Sequence, residues 1–265
     1  MTRTPGVRGV WLLWADARTV DDAAIDSLAT DEDRQRLAAF AAPKRRREYL
    51  LGRALLRCAL ARHTGRPASS HRLETTATGK PFCVDGPALG LSHDGALVVC
   101  ALSTIGEVGV DVQSPSPHRH TGEIATDHFA AEEREWLEHA PSVDAFYWLW
   151  VLKEAYLKQV GLGLAGKLDR LRCRIDPPVI DATAPARASL ALYSLGDAFV
   201  GLAIDADQFD GCECERWTGE DIATSRLELI ARGAARTTPL DSCPAIKSVI
   251  SLRLSCQGYF RVNVA

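Results

Sequence analysis

One thirteen-residue run constrains this chain more than any other: Phe146-Tyr147-Trp148-Leu149-Trp150-Val151-Leu152-Lys153-Glu154-Ala155-Tyr156-Leu157-Lys158. It has helical composition and is apolar almost all the way round, so it predicts a helix buried on nearly every side. A chain of 265 residues has enough material to surround such a helix, as one large domain or two small ones. Glu154 and Lys158 lie one turn apart on one face, and Trp150 precedes them on the same stripe. A carboxylate in such a helix must be paired or metal-bound, because burying a bare charge costs several kcal/mol. A plain Glu154–Lys158 ion pair satisfies that need, and so does a cation site.

A second segment narrows the choice. Val108-Gly109-Val110-Asp111-Val112-Gln113 predicts a strand with its valines on one face. Gly109, Asp111 and Gln113 share the other face at roughly 6–7 Å spacing. Two oxygen-bearing side chains beside a glycine that leaves room can hold a hard cation. A strand with one solvated face explains the same alternation more simply.

Elsewhere the chain alternates between the two periodicities. Gly9–Ala15 predicts a strand, and its short apolar core is too brief for a signal peptide. Thr30 caps a helix over residues 30–40, with acids in its first turn. Pro43 opens a second helix that Gly65 closes. His71–Thr76 is β-like, and Thr78-Gly79-Lys80-Pro81 is a loop that carries a mobile cation. Strands at Leu89–Ser92 and Ala96–Ser103 meet at a hairpin, His93-Asp94-Gly95. After Glu107–Gln113 come helices over 129–138 and 143–160, then strands at 171–175, 188–193 and 198–204. Strand, helices, strands thus occur twice about Gly106, which predicts an α+β fold of two similar halves, 1–105 and 106–215. Residues 216–265 form a tail of unassigned role.

Charge sharpens the picture. Residues 44–66 hold Lys44, Arg45, Arg46, Arg47, Arg53, Arg57, Arg62 and Arg66 against Glu48 alone, a local +7. The whole chain carries −3, so the remainder carries −10. A basic island in an acidic protein points to an anionic partner, not to general nucleic-acid binding. No run of eighteen apolar residues exists, so no membrane span is expected. The eight cysteines form no C-x-x-C pair, which predicts reduced thiols and a cytoplasmic setting. Gly161-Leu162-Gly163-Leu164-Ala165-Gly166 matches G-x-G-x-x-G but follows a helix, so it reads as a helix stop, not a dinucleotide site.

Four segments, in order, resemble the motifs of one family, the 4′-phosphopantetheinyl transferases. They are Gly79-Lys80-Pro81, Leu91-Ser92-His93, Gly109-Val110-Asp111 and Trp150 to Lys158. The layout resembles the surfactin-type group, whose fold is a pseudo-two-fold pair of halves with antiparallel sheets and packed helices in one monomeric chain. The resemblance implies transfer of the phosphopantetheine arm of coenzyme A to a serine of an apo acyl, peptidyl or aryl carrier protein, with release of adenosine 3′,5′-bisphosphate. It implies Mg²⁺, with Mn²⁺ as an alternative, held by Asp111, Gln113 and Glu154. It makes Glu154, Lys158 and Asp111 catalytic. It places Arg36, Lys44, Arg47, Arg53, Lys80, Ser92, His93 and Lys158 on coenzyme A, with Arg47 or Arg53 at the 3′-phosphate. Many relatives have a glutamate where Gln113 stands, which implies a weaker metal site here. A coenzyme A-binding or carrier-docking protein without turnover is the competing reading.

Overall fold

The computed structural model describes residues 9–140, 142–162, 168–175, 178–182, 188–207, 209, 211–219, 221–224 and 227–237. Chain order repeats itself. β1 (Val10–Asp16) is followed by helices α1 (Asp22–Ser27), α2 (Asp31–Arg36) and α3 (Pro43–Thr64) and by strands β2 (Leu73–Thr75), β3 (Pro81–Cys83), β4 (Ala88–Asp94) and β5 (Leu97–Ser103). Then β6 (Val108–Gln113) is followed by α4 (Thr121–His128), α5 (Ala131–Glu138) and α6 (Ala145–Gln159) and by β7 (Arg172–Ile175), β8 (Pro178–Ala182), β9 (Ala188–Leu195) and β10 (Ala198–Ile204). In both passages the first strand pairs antiparallel with the last, and the last with the one before it. Both closing hairpins turn through two residues that begin with a left-handed glycine, Gly95 and Gly196, each at φ +59°. The expected α+β architecture of two similar halves is the one observed.

Three further strands complete the sheets: β11 (Cys212–Trp217), β12 (Ile222–Thr224) and β13 (Glu228–Thr237). The first sheet runs β12-β11-β1-β5-β4 and the second β6-β10-β9-β13-β8-β7. Pairing is antiparallel apart from β1 with β11 and β8 with β13. β11 spans residue 215, where the second half was expected to end, and it returns to the first sheet. Residues 238–265 lie outside the described part, as do Gly163–Gly166 of the glycine motif. Gly161 is described; at φ +73° it ends α6 as a helix stop should.

The core has four layers: α3, first sheet, second sheet, α6. Trp11, Leu13 and Ala15 of β1 face α3 with Leu51, Leu55 and Leu60. Val10 and Leu12 on the opposite face meet Val108, Val110, Val112 and Val200 of the second sheet. α6 packs on the far side against Leu190, Leu192 and Ala203. Thirteen of its fifteen residues are buried, and the two that are not are Trp150 and Lys158. β6 is therefore covered on both faces. Its alternation is real, but the face expected to be solvated lies under α6, and the room left by Gly109 is filled by helix backbone.

The basic helix also differs from expectation. α3 runs from Pro43 to Thr64, and Gly65 caps it, as its end signals dictate. Four of its arginines are spent on ion pairs with other elements of the fold. Arg53 and Arg57 are buried against the two oxygens of Asp33, at 2.8 and 2.5 Å. Asp33 itself closes the capping box of α2 with Thr30. Arg47 pairs with Asp22 at 2.6 Å, and Arg62 with Glu215 at 3.1 Å. Lys44, Arg45 and Arg46 stay exposed in the first turn.

Candidate active site

A cleft of about 570 Å³ opens where β4, the edge strand of the first sheet, runs beside β6 and α6. Its lining includes Lys80, Ser92, His93, Asp111, Gln113, Glu154 and Lys158. Seven of the residues singled out from the sequence thus converge from four places in the chain: the turn at Lys80, β4, β6 and α6. Arg36, Lys44, Arg47 and Arg53 do not line it. Arg36 is exposed at the end of α2, and Lys44 stands 3.8 Å from Glu48.

The centre is a compact polar knot. Ser92 Oγ donates to Asp111 Oδ1 at 2.7 Å and accepts from the Val112 amide at 3.3 Å. Lys158 Nζ donates to the same Asp111 oxygen at 2.6 Å and to Ser92 Oγ at 3.0 Å. Asp111 is 3% exposed and Glu154 6%. Asp111 Oδ2 and Glu154 Oε1 are buried and accept no hydrogen bond among the described residues. Burial, then the charge of Asp111, raises the proton affinity of Glu154, and Lys158 opposes them. Two buried carboxylates with unclaimed oxygens and one nearby ammonium leave negative charge unmet. A hard divalent cation, which takes few carboxylates and fills its other positions with phosphate oxygens or water, fits that set. Among the described residues no group of three or more His, Cys, Asp or Glu side chains is placed to hold a metal ion.

The rim holds the remaining groups. Lys80 follows Gly79, whose φ of +91° makes the turn. Its ammonium is not mobile as expected, because Glu107 and the Gln159 carbonyl hold it at 2.5 and 3.0 Å. His93 keeps an edge in solvent and lies 3.4 Å from Arg45. Burial foremost, with Arg45 and Lys158 adding and Glu48 opposing, holds its imidazole below the usual value. Arg45 sits inside the basic run, but only the fold reveals that it is the member that reaches the cleft residue His93. Gln113 accepts a hydrogen bond from Arg119, a loop residue that the sequence did not single out. Trp150 walls one side and joins Phe129 and Phe146 in an aromatic stack.

A helix and two edge strands thus bring acid, ammonium and imidazole groups to one cleft between the two halves. Residues 107–197 match the 4′-phosphopantetheinyl transferase superfamily model, and residues 33–103 match the 4′-phosphopantetheinyl transferase N-terminal domain. The 4′-phosphopantetheinyl transferase HetI of Nostoc sp. is 28% identical over 205 residues, 72% of this chain and 86% of that one. The 4′-phosphopantetheinyl transferase Sfp of Bacillus subtilis is 30% identical over 168 residues, 57% of this chain and 74% of that one. A human relative, L-aminoadipate-semialdehyde dehydrogenase-phosphopantetheinyl transferase, is 27% identical over 198 residues, 67% of this chain and 64% of that one. The chain belongs to the 4′-phosphopantetheinyl transferase superfamily and is an enzyme of that class.

Proposed function

We propose that the enzyme moves the phosphopantetheine arm of coenzyme A onto a serine hydroxyl of an apo acyl, peptidyl or aryl carrier protein and releases adenosine 3′,5′-bisphosphate. The observation that carries this reading is the meeting of Asp111, Glu154 and Lys158 with Ser92 and His93 in one cleft between the halves. Phosphoryl transfer asks a protein for positioning and charge neutralisation more than for covalent chemistry. Asp111 and Glu154 hold Mg²⁺ (or Mn²⁺) in this reading, and the cation supplies charge neutralisation to the pyrophosphate when bound. Ser92 fixes the Asp111 carboxylate, leaving Oδ2 for the cation. Lys158 turns from Asp111 to a phosphate oxygen, while Lys80, His93 and Arg45 line the path of the nucleotide end. Glu154, whose proton affinity burial raises, accepts the serine proton. Trp150 keeps bulk water from the attacking hydroxyl.

The two halves share one chain, which supports a monomer. The six cysteines among the described residues stand as thiols, which supports a reducing, cytoplasmic setting. No described helix is long and apolar enough to cross a membrane. Incubation with Mg²⁺, coenzyme A and apo carrier proteins, followed by mass spectrometry, tests the reading. A mass gain of one phosphopantetheine on the carrier is expected. No gain on fatty acid, polyketide and peptide carriers alike would overturn it.

A further inference from the structure

Gln113 ends β6 on the same face as Asp111 and lines the cleft, which makes its amide oxygen the obvious third oxygen for a cation. That oxygen is already engaged: it accepts a hydrogen bond from Nη1 of Arg119. Arg119 is held from two more sides. Its Nη2 lies 3.5 Å from Asp94 Oδ1, and its guanidinium stacks over the Tyr147 ring at 5.7 Å. The loop that carries it is fastened at both of those neighbours. The Ser114 amide donates to Asp94 Oδ2 at 2.7 Å, and the Ser116 amide to the Tyr147 hydroxyl at 2.9 Å. A guanidinium stays charged at any working pH. The oxygen bonded to it faces a positive neighbour, whereas Asp111 Oδ2 and Glu154 Oε1 are unclaimed.

We infer that Arg119 is a positioning residue that holds Gln113 out of the cation's coordination shell, so that the cation is bound by the Asp111 and Glu154 carboxylates alone. The inference rests on the cation reading given above and adds that Arg119 and the cation compete for one amide oxygen. Removing the arginine therefore both lifts a repulsive charge and frees a ligand. The charge effect is present whatever residue stands at 113, and the ligand effect needs the glutamine.

Titration of the full chain with Mn²⁺, read by electron paramagnetic resonance without coenzyme A, separates these effects. Gln113→Ala is expected to change Mn²⁺ affinity by no more than about two-fold, because the amide is not a ligand. Arg119→Ala is expected to tighten binding by about ten-fold. With Gln113→Ala also present, the gain should shrink to about two-fold, the charge effect alone. A several-fold loss from Gln113→Ala, or an equal gain from Arg119→Ala on both backgrounds, overturns the inference. Arg119→Met, which keeps the stem over Tyr147, serves as the second variant if Arg119→Ala loosens the loop. Asp111→Asn tells the two readings apart. A loss of about ten-fold or more keeps the cation site. Unchanged Mn²⁺ affinity removes the site and this inference with it.

Discussion

Gly109→Ala tests how the cleft is held together. The added methyl would lie 2.0 Å from the Ala155 carbonyl oxygen and 2.3 Å from the Gln159 amide nitrogen. Both atoms are helix backbone and have no rotamer into which to escape. Real contacts of this kind do not fall below 3.0 Å, so α6 must retreat from β6 by about 1 Å. Gly109 does not have a left-handed φ, so the penalty is packing and not backbone strain. Overpacking of this sort costs about 1–3 kcal/mol. In a chain of this length that lowers Tm by roughly 3–10 °C.

The same displacement reaches the chemistry. Ala155 and Gln159 flank Glu154 and Lys158, and Asp111 lies two residues along β6 from Gly109. A 1 Å shift takes the Lys158–Asp111 contact from 2.6 Å to the edge of hydrogen-bond reach. Misplacement on that scale costs up to about 100-fold in rate. Thermal unfolding by circular dichroism and the carrier mass-gain rate measure the two effects. Gly122→Ala is the matched control: it lies in α4, an added methyl would meet nothing within 4 Å, and Tm should hold or rise slightly. Wild-type Tm and rate for Gly109→Ala would refute the close strand–helix contact as the device that sets the site.

Three further outcomes follow from the same geometry. Glu154→Gln should lower transfer by about 100-fold or more while leaving Tm equal or higher, because the neutral amide ends the repulsion with Asp111 in a dehydrated site; kinetics and a melting curve check both. Asp33→Asn should cost about 3–5 kcal/mol in urea unfolding, since it strands the buried Arg53 and Arg57. Burial pushes Asp33 up, but Arg57, the Thr30 amide and Arg53 outweigh it, so its folded pKa is lowered; its contribution is present above the unfolded carboxylate value and is lost as pH falls through the lowered one, and urea midpoints from pH 7 downward should show that loss in the wild type and not in Asp33→Asn. His93 has a depressed pKa, so a polyanion bound beside it should draw a proton; calorimetry of coenzyme A binding in two buffers around pH 6–7 should show uptake that His93→Gln abolishes.

Much of this was legible in the residues. The all-round apolarity of Phe146 to Lys158 required a buried helix, and a buried helix made Glu154 a residue with something to neutralise. Pro43 and Gly65 bounded α3 because a fixed φ and a left-handed stop are local properties. The β11 strand carried a local signal too, the alternation Cys212-Glu213-Cys214-Glu215, but its parallel partner β1 is some two hundred residues away and no spacing points to it. α1 and α4 are short and polar, so they lack the apolar stripe that marks a helix. Local charge counting was least reliable in α3. Arg53 and Arg57 sit among Leu51, Ala54, Leu55 and Leu56, and that company, more than their charge, indicated burial.

The fate of those arginines bears on how the two halves divide the work. Asp33 draws Arg53 and Arg57 inward, so the first half spends its strongest charges on its own core. What it contributes to the cleft is weaker and placed at an edge: Ser92 and His93 on β4, Lys80 on a turn. The second half contributes the buried carboxylates and Lys158. The contacts that join them, Ser92 to Asp111, Lys158 to Ser92 and Lys80 to Glu107, all cross from one sheet's territory to the other's. Neither half presents Asp111 correctly by itself, because the hydroxyl that orients its carboxylate belongs to the other. A split between Ser103 and Val108 would therefore separate Ser92 from Asp111, and it would also take β11 and β12 away from the first sheet, so the two passages of the chain depend on each other for both the cleft and the fold.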